Sequence, residues 1–424
     1  MGAMMKQTAR LLALSVFAFS AGAFSLPAMA AEQPVTGAAP TWVQQVAAPV
    51  AVAQNAQPLR LLLQDQQVRF HKDGASLYQH RLWRIDAPEG VAALEQLALS
   101  WQAQSDQLTI HSFRLTRKGR SHDVLPAIAQ VLEMQDVPHS ALTMDGRRSL
   151  GLPLGGLMVG DEVELAWSID RSEPLLNGHR DLALEAGEAD VVALSATWDG
   201  AMGVEAKGLP APVQQGAGEA HWLVQGGAKT KAQVRFSDFG QWSDVAGLMV
   251  PLFASARVLN EDSPLHEEIA RIRAASADPM VRAQMALALV KGKTRYLYSG
   301  LGDAPLRPMR ADQVWGRGFA DCKGRAALLL ALLDGLDLVA EPALVAMQGG
   351  AALDRHLPSL SGFDHVIVRA QIGGRVLWLD PAKGGEAVKG TLAYGWALPL
   401  RLGAGLEAVS PKRAAAKGDL ARNP

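Results

Sequence analysis

The chain has 424 residues, enough for two or three domains with hydrophobic cores of their own. Hydrophobic residues make up 49% and charged residues 20%, and 41 Lys and Arg against 42 Asp and Glu leave a net charge of −1. This composition excludes a disordered or collagen-like chain, and it offers no basic surplus to a nucleic acid or an anionic membrane.

Residues 1–31 read as a secretory signal peptide. Lys6 and Arg10 form a positive start, Leu11 to Leu26 an apolar run rather short for a membrane span, and Pro27 a break. Ala28-Met29-Ala30 follows as a small-x-small cleavage site. The alternative is an uncleaved anchor. No later stretch is long and apolar enough to span a bilayer, so a periplasmic or secreted chain with no integral membrane segment after cleavage is expected. Residues 32–58, rich in Ala, Pro, Gln and Val, read as a linker or a loosely attached strand.

Residues 59–255 read mainly as β. Leu59 to Val68 is a strand ending in a His71-Lys72-Asp73-Gly74 turn, and Leu108 to Leu115 alternates apolar and polar before Lys118-Gly119. A further alternating run follows Gly160-Asp161, and short strands recur up to Gln233–Phe236. Short strands with Gly and Pro turns at this spacing predict an all-β, sandwich-like domain.

From about residue 261 the pattern turns helical. Ser263-Pro264 opens one helix with Glu267 and Glu268 in its first turn, and Asp278-Pro279 opens a second that runs to about Lys293. A third begins at Asp321 or Cys322 and runs through a leucine-rich segment to Leu333 or Asp334. Strands are expected near Ala343–Met347, His365–Ala370 and Arg375–Asp380. Helices followed by an antiparallel sheet make residues 261–400 an α+β unit. Residues 401–424 read as a tail.

Cys322 is the sole cysteine of the chain. Exported proteins use cysteines mostly in pairs, so a lone thiol is either buried and inert or kept for its chemistry. At the start of a helix, unpaired backbone N–H groups and the positive helix end favour thiolate over thiol. The same N–H groups can receive an oxyanion. The competing reading is a small core residue among Ala326, Leu329, Leu330 and Leu333.

His365 and Asp380 lie on the two strands flanking Gln371-Ile372-Gly373-Gly374. If those four residues form the loop, Ala370 pairs with Arg375 and His365 stands opposite Asp380. Directly opposed side chains have Cβ atoms about 4.5–5.5 Å apart, close enough for the carboxylate to hold one imidazole nitrogen and leave the other for a thiol. Taken singly, either residue is more often structural.

Three segments together resemble the bacterial transglutaminase-like family. They are Asp321-Cys322-Lys323 at a helix start, Phe363-Asp364-His365-Val366, and Trp378-Leu379-Asp380-Pro381. Leu357-Pro358-Ser359-Leu360 also looks like the family. The resemblance implies a papain-like core with Cys322, His365 and Asp380 as a triad that cleaves or transfers an amide or peptide acyl group. It implies a peptide or protein substrate and no cofactor or metal. A non-catalytic peptide-binding module that keeps the fold is the alternative, and a thioester-using acyltransferase is a third reading. Tyr296 or Trp315 could assist the Cys322 N–H at the oxyanion.

Ala320 stands where the family motif has Gly, and Gly324 where it has a second Asp. Upstream, Gly160–Glu164 and Phe239–Val245 look like the β-rich domain of unknown function that often precedes this core, with Trp242-Ser243-Asp244-Val245 as the bridge. Other motifs fail on spacing. His266-Glu267-Glu268 has Ala270 where a zincin helix needs its second His, and Leu287 stands where a phosphate-binding loop ending at Gly292-Lys293-Thr294 needs Gly.

Overall fold

The structure is a computed structural model that describes residues 33–47, 49, 57–128, 140–142, 147–152, 154–225, 232–297, 306–383 and 394–409. The signal segment falls outside these residues, as does most of the expected tail.

The N-terminal half is built on one mixed sheet of nine strands. Its central hairpin joins Leu59–His71 to Gly74–Ile85, with His71 paired to Gly74 across the expected Lys72-Asp73 turn. Gly74 is required there, because a Cβ would lie 1.9 Å from the Arg171 carbonyl oxygen. The strands Glu162–Ser172 and Asp106–Arg117 extend the sheet on one side, and Val191–Thr197 and Glu219–Gln225 extend it on the other. At the outer edge Val35–Thr36, within the expected linker, pairs in parallel with Thr109–Ile110.

The second layer is two small sheets rather than one. Ala98–Gln102 pairs with Arg147–Gly151, which in turn pairs with Ser140–Leu142. Asp181–Ala186 and Gly203–Lys207 flank Ala232–Ser237. Leu99 and Trp101 of the first pack with Trp83, Ile85, Val163 and Leu165 of the large sheet. Leu184, Val234 and Phe236 of the second pack with Val68, Phe70, Ala75 and Val192. Ala75, Leu77, Trp83 and Ile85 alternate along one strand, so both cores lie on one face.

The C-terminal half has its own core around the helix Cys322–Gly335. Every residue from Cys322 to Leu333 is buried. From Ala326 to Leu333 it is apolar on all sides, and such a helix belongs at a centre and not at a surface. Helices Leu265–Ala275 and Pro279–Lys293 cover it, the latter started by Asp278, whose carboxylate accepts from the Met280 N–H at 2.8 Å. The Trp242 segment expected as a bridge is itself a helix, Trp242–Ala256. Gln241 is its N-cap residue, Asp244 in the first turn accepts from the Gln241 N–H at 3.1 Å, and Val245, Ala246, Met249 and Phe253 belong to the same core as Cys322.

The other side of the central helix packs on a five-stranded antiparallel sheet. Its order is Arg375–Leu379, His365–Ile372, Val339–Val345, Trp396–Pro399 and Glu407–Ala408. The molecule is therefore strand-rich and mixed, with two cores among the sheets of the N-terminal half and another around a helix. Among the described residues no helix is long and apolar enough to cross a membrane.

Candidate active site

Cys322 is the first residue of the central helix and is buried. Asp321, in extended conformation just before it, caps the helix by accepting from the Gly324 N–H at 2.9 Å and also pairs with the Lys323 ammonium. That leaves the Cys322 N–H without an intrahelical acceptor, as at any helix start.

His365 opens its strand, paired to Val345, and is buried. Its Nε2 lies 3.2 Å from each carboxylate oxygen of Asp380. The hairpin reaches this contact through a register different from the one expected. Ile372, not Ala370, pairs with Arg375, and the loop is Gly373-Gly374 alone, both with positive φ of 57° and 73°. Two consecutive left-handed residues are what a tight two-residue hairpin demands, and a Gly-Gly doublet supplies them without steric cost.

A slip of two residues keeps every side chain on its face, whereas a slip of one would have turned them over. Asp380 thus stands diagonal to His365 and one residue past Leu379, the last paired position. The imidazole is long enough to span a diagonal neighbour.

Asp380 is held by more than His365. The Tyr394 hydroxyl donates to its Oδ2, and the N–H groups of Ala382 and Lys383 donate to Oδ1 at 2.8 and 3.2 Å. Tyr394 is buried, its ring 5.9 Å from that of His365, and the Lys383 ammonium lies 4.4 Å from its centroid. Burial, then the bond to Asp380, pushes the Tyr394 hydroxyl far up, so it stays a donor. No motif in the chain marked Tyr394, which arrives from a segment 14 residues beyond Asp380.

Arg325 is a second residue that the sequence did not single out. It is buried on the helix turn after Cys322, donates to the Pro381 carbonyl at 2.8 Å and to that of Thr294, and lies 5.4 Å from the Tyr296 ring centroid. It ties the Cys322 helix to the residue after Asp380. Tyr296 thus serves as a platform for Arg325, and Trp315 packs against the core with the Lys293 ammonium 4.8 Å from its centroid.

The electrostatics follow from this packing. Burial disfavours a charged imidazole, but hydrogen bonds and charge from Asp380 and Cys322 outweigh it, and His365 is pushed from 6.5 up to about 9. Burial likewise opposes the Asp380 carboxylate, yet the bond and charge of His365, with Tyr394 and the Ala382 N–H, bring it from 3.8 down to about 2. His365 is thereby an imidazolium at neutral pH, facing a carboxylate on one edge and Cys322 near enough to add to the shift.

A stability profile follows. The depressed Asp380 contributes fully above pH 3.8 and loses its contribution as pH falls towards 2. The raised His365 contributes fully below pH 6.5 and loses its share as pH rises through 9. The difference in urea midpoint between wild type and His365→Ala is therefore expected to be greatest between these limits and to shrink on both sides. A difference that stays flat across that range would remove the ion pair.

The two departures around Cys322 meet each other in space. A Cβ on residue 324 would lie 2.8 Å from the Ala320 Cβ and 3.1 Å from Val314 Cγ2. Where the family motif has a small residue at the first position and a larger one at the second, this chain has the reverse. Gly324→Asp is expected to cost about 1–3 kcal/mol by overpacking. Ala320→Gly in the same chain should recover part of that loss, and a double-mutant cycle of urea unfolding measures it. Strict additivity of the two changes would show that the positions do not share this space.

Residues 72–214 match one family model. It is described as "Domain of Unknown Function with solved-structure structure (DUF3857)". No curated protein sequence matches the chain. Among solved structures, one from Parabacteroides distasonis ATCC 8503, named a "putative protease", superposes with a TM-score of 0.64. It is 12% identical, and the match covers 84% of this chain and 72% of that one, so the two halves share their fold and their order with it. A "putative cysteine protease" from Cytophaga hutchinsonii is 11% identical, with 49% and 80% covered and a TM-score of 0.25.

Proposed function

We propose that the protein is an exported thiol enzyme of transglutaminase-like type, acting on the amide or peptide bonds of a peptide or protein substrate. The observation that carries this reading is His365, buried between Cys322 and an Asp380 that three other donors fix in place. A core histidine kept for packing needs no such carboxylate.

In the reaction, Cys322 Sγ attacks the substrate carbonyl carbon as thiolate, and the carbonyl electron pair moves to oxygen, facing the Cys322 N–H at the helix start. His365 gives its proton to the departing amine as the C–N bond breaks. A thioester on Cys322 remains. Water or a second amine then attacks it, losing a proton to His365, and the thiolate is restored. Asp380 holds the imidazole orientation and stabilises its charged form throughout.

The test is to incubate the mature chain with a panel of peptide amides and look by mass spectrometry for an acyl adduct on Cys322. An adduct, absent from Cys322→Ala, is expected. An inert Cys322 against the whole panel, together with tight binding of peptides, would replace this reading with that of a non-catalytic binding module. Signal cleavage belongs to the same proposal, and export is checked by the N-terminal sequence of the chain recovered from its native compartment, with Glu32 as the expected first residue.

A further inference from the structure

The segment that leads into His365 is held from two sides: Leu360 and Phe363 are buried in the core around Cys322, and its polar groups are held by the other half of the chain. Residues 356–361 lie in a cradle formed by the three-stranded sheet of the N-terminal half. Asp181, Ser237 and Gly203 stand in one register row across that sheet. Each meets the segment. Asp181 Oδ2 accepts from the Leu360 N–H at 2.7 Å, and its Oδ1 accepts from the Ser361 N–H at 3.0 Å and the Ser359 hydroxyl at 3.1 Å. The Ser237 hydroxyl donates to the Pro358 carbonyl.

Gly203 makes room for Leu357, whose methyl carbons would be 3.1 and 3.2 Å from a Cβ there. Two residues along, the Glu205 carboxylate accepts from the Leu357 N–H at 3.0 Å and pairs with His356.

These contacts have the form of a helix cap supplied by another domain. Leu360–Gly362 is a single 3-10 turn, and its first N–H groups have no acceptor within the turn. Asp181 supplies it from the N-terminal half of the chain. Phe363 then packs edge-on to Trp242, ring centroids 5.5 Å apart at 71°, and His365 follows two residues later. Burial pushes the Asp181 carboxyl up, and the bonds from Ser361, Ser359 and Leu360 oppose that rise.

From Ser361 to His365 only four peptide units intervene. A tilt of the 3-10 turn would have only this short path to the imidazole, and misplacing a catalytic group by about an ångström is enough to cost much of its rate.

We infer that Asp181, with Glu205, is a positioning residue for His365, so that the N-terminal β-rich domain completes the active site of the C-terminal core instead of serving solely to bind substrate. The inference rests on the triad of the proposed function. It also accounts for why three of the cradle's polar contacts go to the backbone N–H groups of Leu357, Leu360 and Ser361, which set the path of the chain.

The test reads the alkylation rate of Cys322 by iodoacetamide as a function of pH, in the full mature chain, so no substrate is needed. Wild type and His365→Ala come first. If the two profiles coincide, the triad reading fails, and this inference with it. If they differ, Asp181→Asn, Ser359→Ala and Glu205→Gln are compared with wild type, Ser359→Ala being the mildest because Ser361 remains beside Asp181. Folding is verified by a cooperative thermal transition.

The expected result is a rate at neutral pH lowered by about 10- to 100-fold in Asp181→Asn, as misplacement of a catalytic group by an ångström would give, with smaller losses in the other two. The pH profile should move towards that of His365→Ala. A merely structural cradle would lower the thermal midpoint and leave the profile in place. Folded variants with the wild-type profile would overturn the inference, and Asp181→Ala, which removes every acceptor, would then be expected to match them.

Discussion

Replacing His365 with alanine is expected to slow acylation of Cys322 by about 10²- to 10⁴-fold, the range a positioned acid–base group supplies. Two effects add. The variant has no group to protonate the departing amine, and Cys322 loses the cation beside it. The fold should survive, because Asp380 keeps the Tyr394 hydroxyl and the Ala382 and Lys383 N–H groups as donors. Single-turnover acylation of a peptide amide, read with the urea midpoint of the same variant, checks both parts. A rate within about threefold of wild type would leave no role for general acid–base help of the usual size.

How much of this was legible in the chain depends on the range over which each feature is encoded. Local signals carried well. Asp278-Pro279 and Asp321-Cys322 each hold a capping carboxylate one residue before the first helical turn, and both helices begin there. Period-2 alternation likewise marked Asp106–Arg117 and Glu162–Ser172. The helix Trp242–Ala256 was hidden because Gly247 and Pro251 interrupt it, both poor helix formers, and because its cap begins with Gln241 and not with Ser, Thr, Asp or Asn.

The His365 hairpin pairs two residues away from the register that a four-residue loop would give, although the deciding signal lies in the chain. Gly373-Gly374 is itself a sufficient turn, so Gln371 and Ile372 remain in the strand. The offset leaves the histidine and the aspartate on one face because it is even. What no local reading could reach is whatever depends on contacts between distant segments. Tyr394 on Asp380, Arg325 on Pro381, and Asp181 on Leu360 and Ser361 are joined only by folding, and the last pair is separated by 179 and 180 positions.

That same dependence on distant contacts makes Asp380→Ala the variant with the largest expected loss of stability. The sequence alone presents Asp380 as a triad member whose removal should spare the fold. The structure gives it four partners, three of them neutral donors and one a buried imidazolium. Removing the carboxylate leaves the Tyr394 hydroxyl and the imidazolium in a water-poor site without an acceptor, and stripping one partner from a buried charge pair costs about 3–5 kcal/mol. His365 can relieve part of this by losing its proton, so the loss should be greatest at about pH 5 and smaller above the pH at which wild-type His365 itself titrates, about 9. Urea unfolding at the two pH values measures it. A loss below about 1 kcal/mol at the lower pH, the size of one ordinary hydrogen bond, would mean that water or a neighbouring group replaces the carboxylate, and Asp380 would then be an orienting group with little part in stability. Asp380→Asn separates shape from charge. It keeps one acceptor oxygen for the Ala382 and Lys383 N–H groups and turns an amide N–H₂ towards His365 and Tyr394, so it should retain part of the stability while losing most of the acylation rate.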